Sequence, residues 1–158
     1  MFRVGFLHIL RVGFLQVGPV MAKSRTLRQK IEYRMARRHG DDAFLPREFA
    51  DLGGEDQVLR ALRELVRDGR LIRLGYGVYA RAMRSRLSGR TMVDSSNGFS
   101  SAALQALTKL GVPWEPSDSV RAYNEGRSTQ IPVNPAVKVK SRFRRRLSDG
   151  RTELRVER

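Results

Sequence analysis

Gln57, Arg60, Arg63 and Arg67 recur at spacings of three and four residues within the run EDQVLRALRELVR. On a helix the three arginines fall together on one side. Val58, Leu62, Leu65 and Val66 fall within roughly one quarter-turn on the other, flanked by Leu59 and Ala61. A guanidinium offers a planar fork of donors that suits guanine edges and phosphates, and a glutamine amide suits adenine. The chemistry implied is recognition of a polyanion. The competing reading is a solvated face on which Glu64 and Asp68 serve the arginines as local partners.

More cations could join that surface. Arg73 and Tyr76 lie on a short hairpin just beyond, where they reach either a phosphate backbone or a minor groove; otherwise Tyr76 fills a tight turn. Arg25, Arg28 and Arg47 are either phosphate clamps or plain surface cations. Arg142, Arg144, Arg145 and Arg146 form the densest run. On a strand, Arg142, Arg144 and Arg146 share one side, with Phe143 and Arg145 on the other. That run is a second nucleic-acid surface, a contact for an acidic partner, or a solvated strand. Gly126-Arg127-Ser128-Thr129 lacks the spacing of a phosphate-binding P-loop, so it is either a weak phosphate cradle or a turn whose hydroxyls bond nearby backbone.

Bond-making chemistry has little to work with. The chain has no Cys, and only His8 and His39 carry imidazole. No nucleophile triad, paired carboxylates or HExxH run occurs, and Asp41-Asp42 read as helix-entry residues. Neither an enzyme nor a bound metal or cofactor is expected. The 158 residues hold 31 Lys and Arg against 16 Asp and Glu, a net charge of +15, and 26 of the cations are Arg. Such a balance points to a polyanionic partner, although a GC-rich genome would also favour Arg over Lys. With 41% hydrophobic residues a core is available.

Helical periodicity predicts a first helix over 24–38, with Ser24 as N-cap and Leu27, Ile31 and Met35 inward. Gly40 ends it. A second helix enters at Pro46 with Phe49 and Leu52 inward, and Gly53-Gly54 makes the turn. The third runs from about Glu55 to Asp68 and closes at Gly69. The period then switches, giving strands at Arg70–Leu74 and Val78–Ala80 around Gly75-Tyr76-Gly77. A further helix is predicted at Ser101–Leu110, capped by Ser100, with Ala103, Leu104, Leu107 and Leu110 inward. From Val120 onward the chain reads as β-rich: Ile131-Pro132-Val133, Ala136–Lys140, Arg142–Leu147 and Thr152–Val156. The expected class is α+β, an N-terminal winged helix-turn-helix followed by a small, mostly β C-terminal domain. The divisions are an apolar extension at 1–22, a DNA-binding domain at 23–82, a basic linker at 83–99 and a small basic α+β domain at 100–158. The extension repeats RVGFL at 3–7 and 11–15, and is read as translated from a start upstream of a natural one at Met21. No stretch is apolar and long enough to span a membrane, so a cytoplasmic protein is expected.

Two blocks carry a family resemblance. The first comprises Phe44, Pro46, Phe49, Leu52 and Gly53, then Ala61, Leu62, Leu65, Val66, Gly69, Leu71, Ile72, Arg73, Leu74, Gly77 and Tyr79. The second is YNEGRSTQIP at 123–132, followed by VKVKSRFRRR at 137–146. In this order they resemble the AbiEi-type antitoxins of type IV toxin–antitoxin systems and a related bacterial family of unknown function. The resemblance implies a winged-helix domain, double-stranded DNA as partner (its own promoter), and a cognate nucleotidyltransferase-like toxin. The family usually has Ser or Thr before the third helix, where this chain has Gly54, and relatives are expected to continue with more helix beyond the Arg-rich segment. The rival function is a protein-interaction module whose basic C-terminal part docks an acidic partner or toxin.

Overall fold

Residues 24–130 and 134–157 are described by a computed structural model of the chain; the apolar extension and Ile131-Pro132-Val133 lie outside them. The fold is α+β, with four α-helices and two sheets among the described residues. Among the described residues no helix is long and apolar enough to cross a membrane.

Helix α1 spans Leu27–Arg37, and its N-cap is Thr26 rather than Ser24. The Thr26 hydroxyl accepts from the Gln29 N–H at 3.3 Å, and the Gln29 side chain accepts from the Thr26 N–H at 3.0 Å. This reciprocal pair satisfies two otherwise orphaned donors. Ser24 cannot match it, because three residues on it meets Leu27. Ile31 and Met35 are buried, as their spacing predicts. After β1 (Ala43–Phe44), the expected second helix contracts to a single 3-10 turn, Pro46–Phe49. Glu48 tightens it by accepting from the Leu45 N–H at 2.6 Å.

Helix α2, Glu55–Arg67, buries Val58, Ala61, Leu62 and Leu65. Gly69, at φ 71°, ends it in the left-handed conformation that glycine adopts without a side-chain clash. The Gly69 and Arg70 N–H groups then satisfy the Val66 and Leu65 carbonyls. Strands β2 (Leu71–Gly75) and β3 (Val78–Arg84) form an antiparallel hairpin; β3 also pairs with β1 and with β4 (Thr91–Val93). The stretch expected as a linker therefore contains the end of β3, all of β4 and the start of the next helix. Val93 and Phe99 are its buried anchors.

Helix α3 is Gly98–Lys109, starting before Ser101, and Ser100 lies inside it rather than capping it. The earlier start puts Phe99 on the buried face with Ala102, Ala103, Ala106 and Leu107. Next come β5 (Trp114–Pro116) and helix α4 (Asp118–Asn124), the latter capped by Ser117, in a region read as strand and loop. Helix α4 buries no residue, so it leaves no apolar period to detect. Strand β6 (Ala136–Val139) pairs antiparallel with β5 and parallel with β7 (Arg155–Glu157). Residues 142–147 are not a strand. They are held instead by the Ser148 N–H donating to the Leu74 carbonyl at 2.8 Å and by the buried Leu147.

Two buried clusters result. One packs α1 and α2 on Phe44, Phe49, Leu71 and Tyr79. The other joins Ala43, Leu45, Leu74, Val78 and Ala80 to α3, β6, Leu147 and Leu154, so the stretches 23–82 and 100–158 share buried side chains. A polar latch reinforces this joint. The Lys109 side chain is only 18% exposed, and its ammonium donates to Asp41 at 3.0 Å, to the Ala43 carbonyl at 2.7 Å and to Glu48 at 2.9 Å. Gln105 accepts from the Asp42 and Ala43 N–H groups and donates to the Gly40 carbonyl.

Lys109→Met keeps the stem but leaves two partly buried carboxylates short of a donor. It should lower stability by about 1–3 kcal/mol, measured by chemical denaturation. Gly75→Ala should cost a similar ~1–3 kcal/mol, because a Cβ there would stand 2.5 Å from the Arg146 carbonyl oxygen and 2.9 Å from Leu147. A thermal midpoint equal to that of the parent chain would contradict either expectation.

Candidate nucleic-acid interface

The amphipathic division of α2 sets the geometry. With Val58, Leu62 and Leu65 buried, Gln57, Arg60, Arg63 and Arg67 are all exposed. Among the described residues none of these arginines makes an ion pair; Arg63 donates to the Leu59 carbonyl at 3.1 Å. Glu64 and Asp68 do not serve them. Asp68 pairs with Arg28 of α1 at 2.5 Å, across the α1–α2 contact. The stripe thus keeps its charge, while Arg28 is occupied in holding two helices together.

Beside the stripe stands the tip of the β2–β3 hairpin. A cleft of ≈ 330 Å³ is lined by Glu55, Leu59 and Arg63 of α2 and by Arg73, Tyr76 and Tyr79 of the hairpin. Arg73 is exposed and donates to the Gly75 carbonyl at 3.2 Å. Tyr76 does not fill the turn, since it is 75% exposed. Its ring lies under the Arg145 guanidinium, 5.8 Å from the centroid, and its carbonyl accepts from Arg145 at 3.2 Å. The fold therefore brings together Arg63, Arg73 and Tyr76, and adds Arg145, which the sequence had placed on a separate surface.

Other candidates are placed elsewhere or tied up. Arg47 is exposed but donates to the Lys109 carbonyl, at the C-terminal end of α3. Arg25 lies over the Tyr33 ring at 4.1 Å, and Arg37 donates to the Tyr33 hydroxyl at 2.9 Å. That hydrogen bond and the Arg37 charge hold the Tyr33 hydroxyl below its usual pKa, with Arg25 contributing less. In the Arg-rich run, the alternation expected of a strand is absent because the backbone is irregular. Arg145 turns to the hairpin, Arg146 pairs with Glu153 at 2.7 Å, and Arg142 and Arg144 border another cleft. At 126–129 the local reading holds: Arg127 pairs with Glu125, and the Ser128 hydroxyl accepts from the Gln130 N–H at 3.2 Å. Asp41 and Asp42 are not helix-entry residues. Asp42 accepts from Ser95 and Ser101, and Asp41 pairs with Lys109.

Several other charged residues do structural work through partners far off in the chain. Arg34 pairs bidentately with Asp51 at 2.5 and 2.6 Å. The hydrogen bond from Arg34 holds the Asp51 carboxyl below its usual pKa. Arg81 donates to the Met35 and Arg38 carbonyls and stands 5.5 Å from the Phe44 ring centroid. It neutralises the negative end of α1.

Because Tyr76 is so exposed, Tyr76→Ala should change stability by no more than about 0.5–1 kcal/mol. A larger loss in denaturation would mean that the Arg145 contact is structural rather than a presented surface.

No family model matches this chain, and neither a curated protein nor a solved structure matches it significantly.

Proposed function

We propose that this chain is a cytoplasmic DNA-binding regulator of winged helix-turn-helix type, acting as antitoxin and autorepressor beside a nucleotidyltransferase-like toxin. The observation that carries the DNA-binding part is the exposed Arg60, Arg63 and Arg67 stripe, without ion pairs among the described residues, next to a hairpin tip bearing Arg73 and Tyr76. In this reading α2 enters the major groove and β2–β3 is the wing. Arg60 and Arg63 meet base edges, Gln57 reads a base at the helix start, and Arg67 and Arg73 take flanking phosphates. Bound protein then occludes the promoter. The antitoxin part rests on the two sequence blocks that resemble the AbiEi type.

Arg60→Ala or Arg63→Ala should weaken binding to the chain's own promoter by about 1–3 kcal/mol and relax base preference, in mobility-shift titrations. With ~6 phosphates neutralised, the log–log salt slope of the parent should be about −5. Equal binding by Arg60→Ala and the parent chain would end the assignment of α2 as the reading helix. The antitoxin role is tested separately, by whether co-expression of this chain relieves growth arrest caused by the neighbouring reading frame.

A further inference from the structure

Outside the α2–hairpin surface, a cleft of ≈ 810 Å³ lies where β6 leaves the second sheet. Trp114, Lys138, Val139, Lys140, Arg142 and Arg144 carry its chemistry. We propose that this cleft binds a nucleoside phosphate, with the base stacked on Trp114 and the phosphate held by Arg142 and Arg144.

The aromatic platform is already positioned. Trp114 sits in β5 directly opposite Val139 of β6. Its indole N–H donates to the Thr108 hydroxyl at 3.1 Å, and part of the ring packs against the buried cluster beneath. A ring fixed in this way stacks with little loss of rotamer freedom.

The cations divide into two classes. Lys138 is paired with Asp118 at 2.6 Å and Lys140 with Glu115 at 2.8 Å. The Lys140 hydrogen bond holds the Glu115 carboxyl below its usual pKa. Arg142 and Arg144 are exposed and make no ion pair among the described residues. Their guanidinium forks suit phosphate oxygens bidentately. The volume falls within the ~300–1,000 Å³ typical of small-ligand sites. A duplex presents no free base face to the indole, and an acidic peptide would leave the platform unused. A nucleoside phosphate uses both features.

Trp114 is the sole tryptophan of the chain, so its fluorescence reports this site alone. Titrating the full chain with AMP, and separately with a short single-stranded oligothymidylate, should give saturable quenching. Quenching by AMP points to a free nucleotide as source, and quenching by the oligonucleotide alone to a single-strand end; either supports the site. Replacing Arg142 and Arg144 together by Ala should weaken binding by about tenfold or more, with an unchanged thermal midpoint. The Arg60→Ala/Arg63→Ala chain should bind as the parent does, which separates this site from the proposed duplex surface. No saturable quenching by either probe, undiminished affinity in the Arg142/Arg144 variant, or equally tight binding of a glutamate-rich peptide would overturn the proposal.

Discussion

Lys109 is held by Asp41, the Ala43 carbonyl and Glu48 while only 18% exposed. Removing an ammonium this far from water is costly unless its donors are satisfied. Here all three protons have acceptors, and Phe44 lies 5.1 Å from the nitrogen. Glu48 is shared further, with Arg38 at 2.7 Å and the Leu45 N–H. The latch therefore fixes α1, the 3-10 turn and β1 relative to α3 in one network. Beneath it, β1 pairs with β3, and β3 carries the hairpin that flanks α2. Loosening Lys109 would disturb α3 and the cradle of the hairpin together.

The high arginine content acquires meaning only from how it is distributed. Arg34, Arg38, Arg81 and Arg28 are used internally, on carboxylates or on carbonyls at the end of a helix. Exposed pairs of this kind contribute about 0–1 kcal/mol each, so their main effect is to remove particular cations from the available surface. Arg60, Arg63 and Arg67 make no ion pair among the described residues, and Asp68, the acid that follows the helix, is committed to Arg28. A net charge of +15 could have been spread evenly. Local pairing instead leaves particular groups of cations unneutralised among the described residues, the arginine face of α2 and the Arg142 and Arg144 pair among them.

Those elements whose signal is local were legible in the sequence. Helix α2 shows a sharp split between aliphatic and arginine faces, and the hairpin announces itself by two glycines around Tyr76. The start of α1 was misread because a capping box needs both members, and the pair is Thr26 with Gln29. Helix α4 was missed because a helix that buries nothing has no period. The irregular path of 142–147 was illegible for another reason: its fixed points, Leu147 and the Ser148 N–H, are defined by β2, far off in the chain. Lys109 likewise finds its partners 61 to 68 residues away. No window of sequence contains such a contact.

The same long-range packing changes what the hairpin tip can do. A two-residue turn on an isolated hairpin is commonly among the first parts to open. Here Gly75 lies close under the Arg146 carbonyl, Leu147 is buried against the same core as Leu74, and Arg145 bonds the Tyr76 carbonyl. The turn is thereby stiffened from below while its aromatic ring stays in solvent. Ordering a loose side chain on binding costs about 0.5–1.5 kcal/mol, and a tip braced beforehand avoids part of that cost. Gly75 is required for the brace, since any side chain there would separate the tip from the segment that supports it. The C-terminal part of the chain thus contributes to the candidate surface chiefly by making it rigid, with Arg145 as its one direct addition.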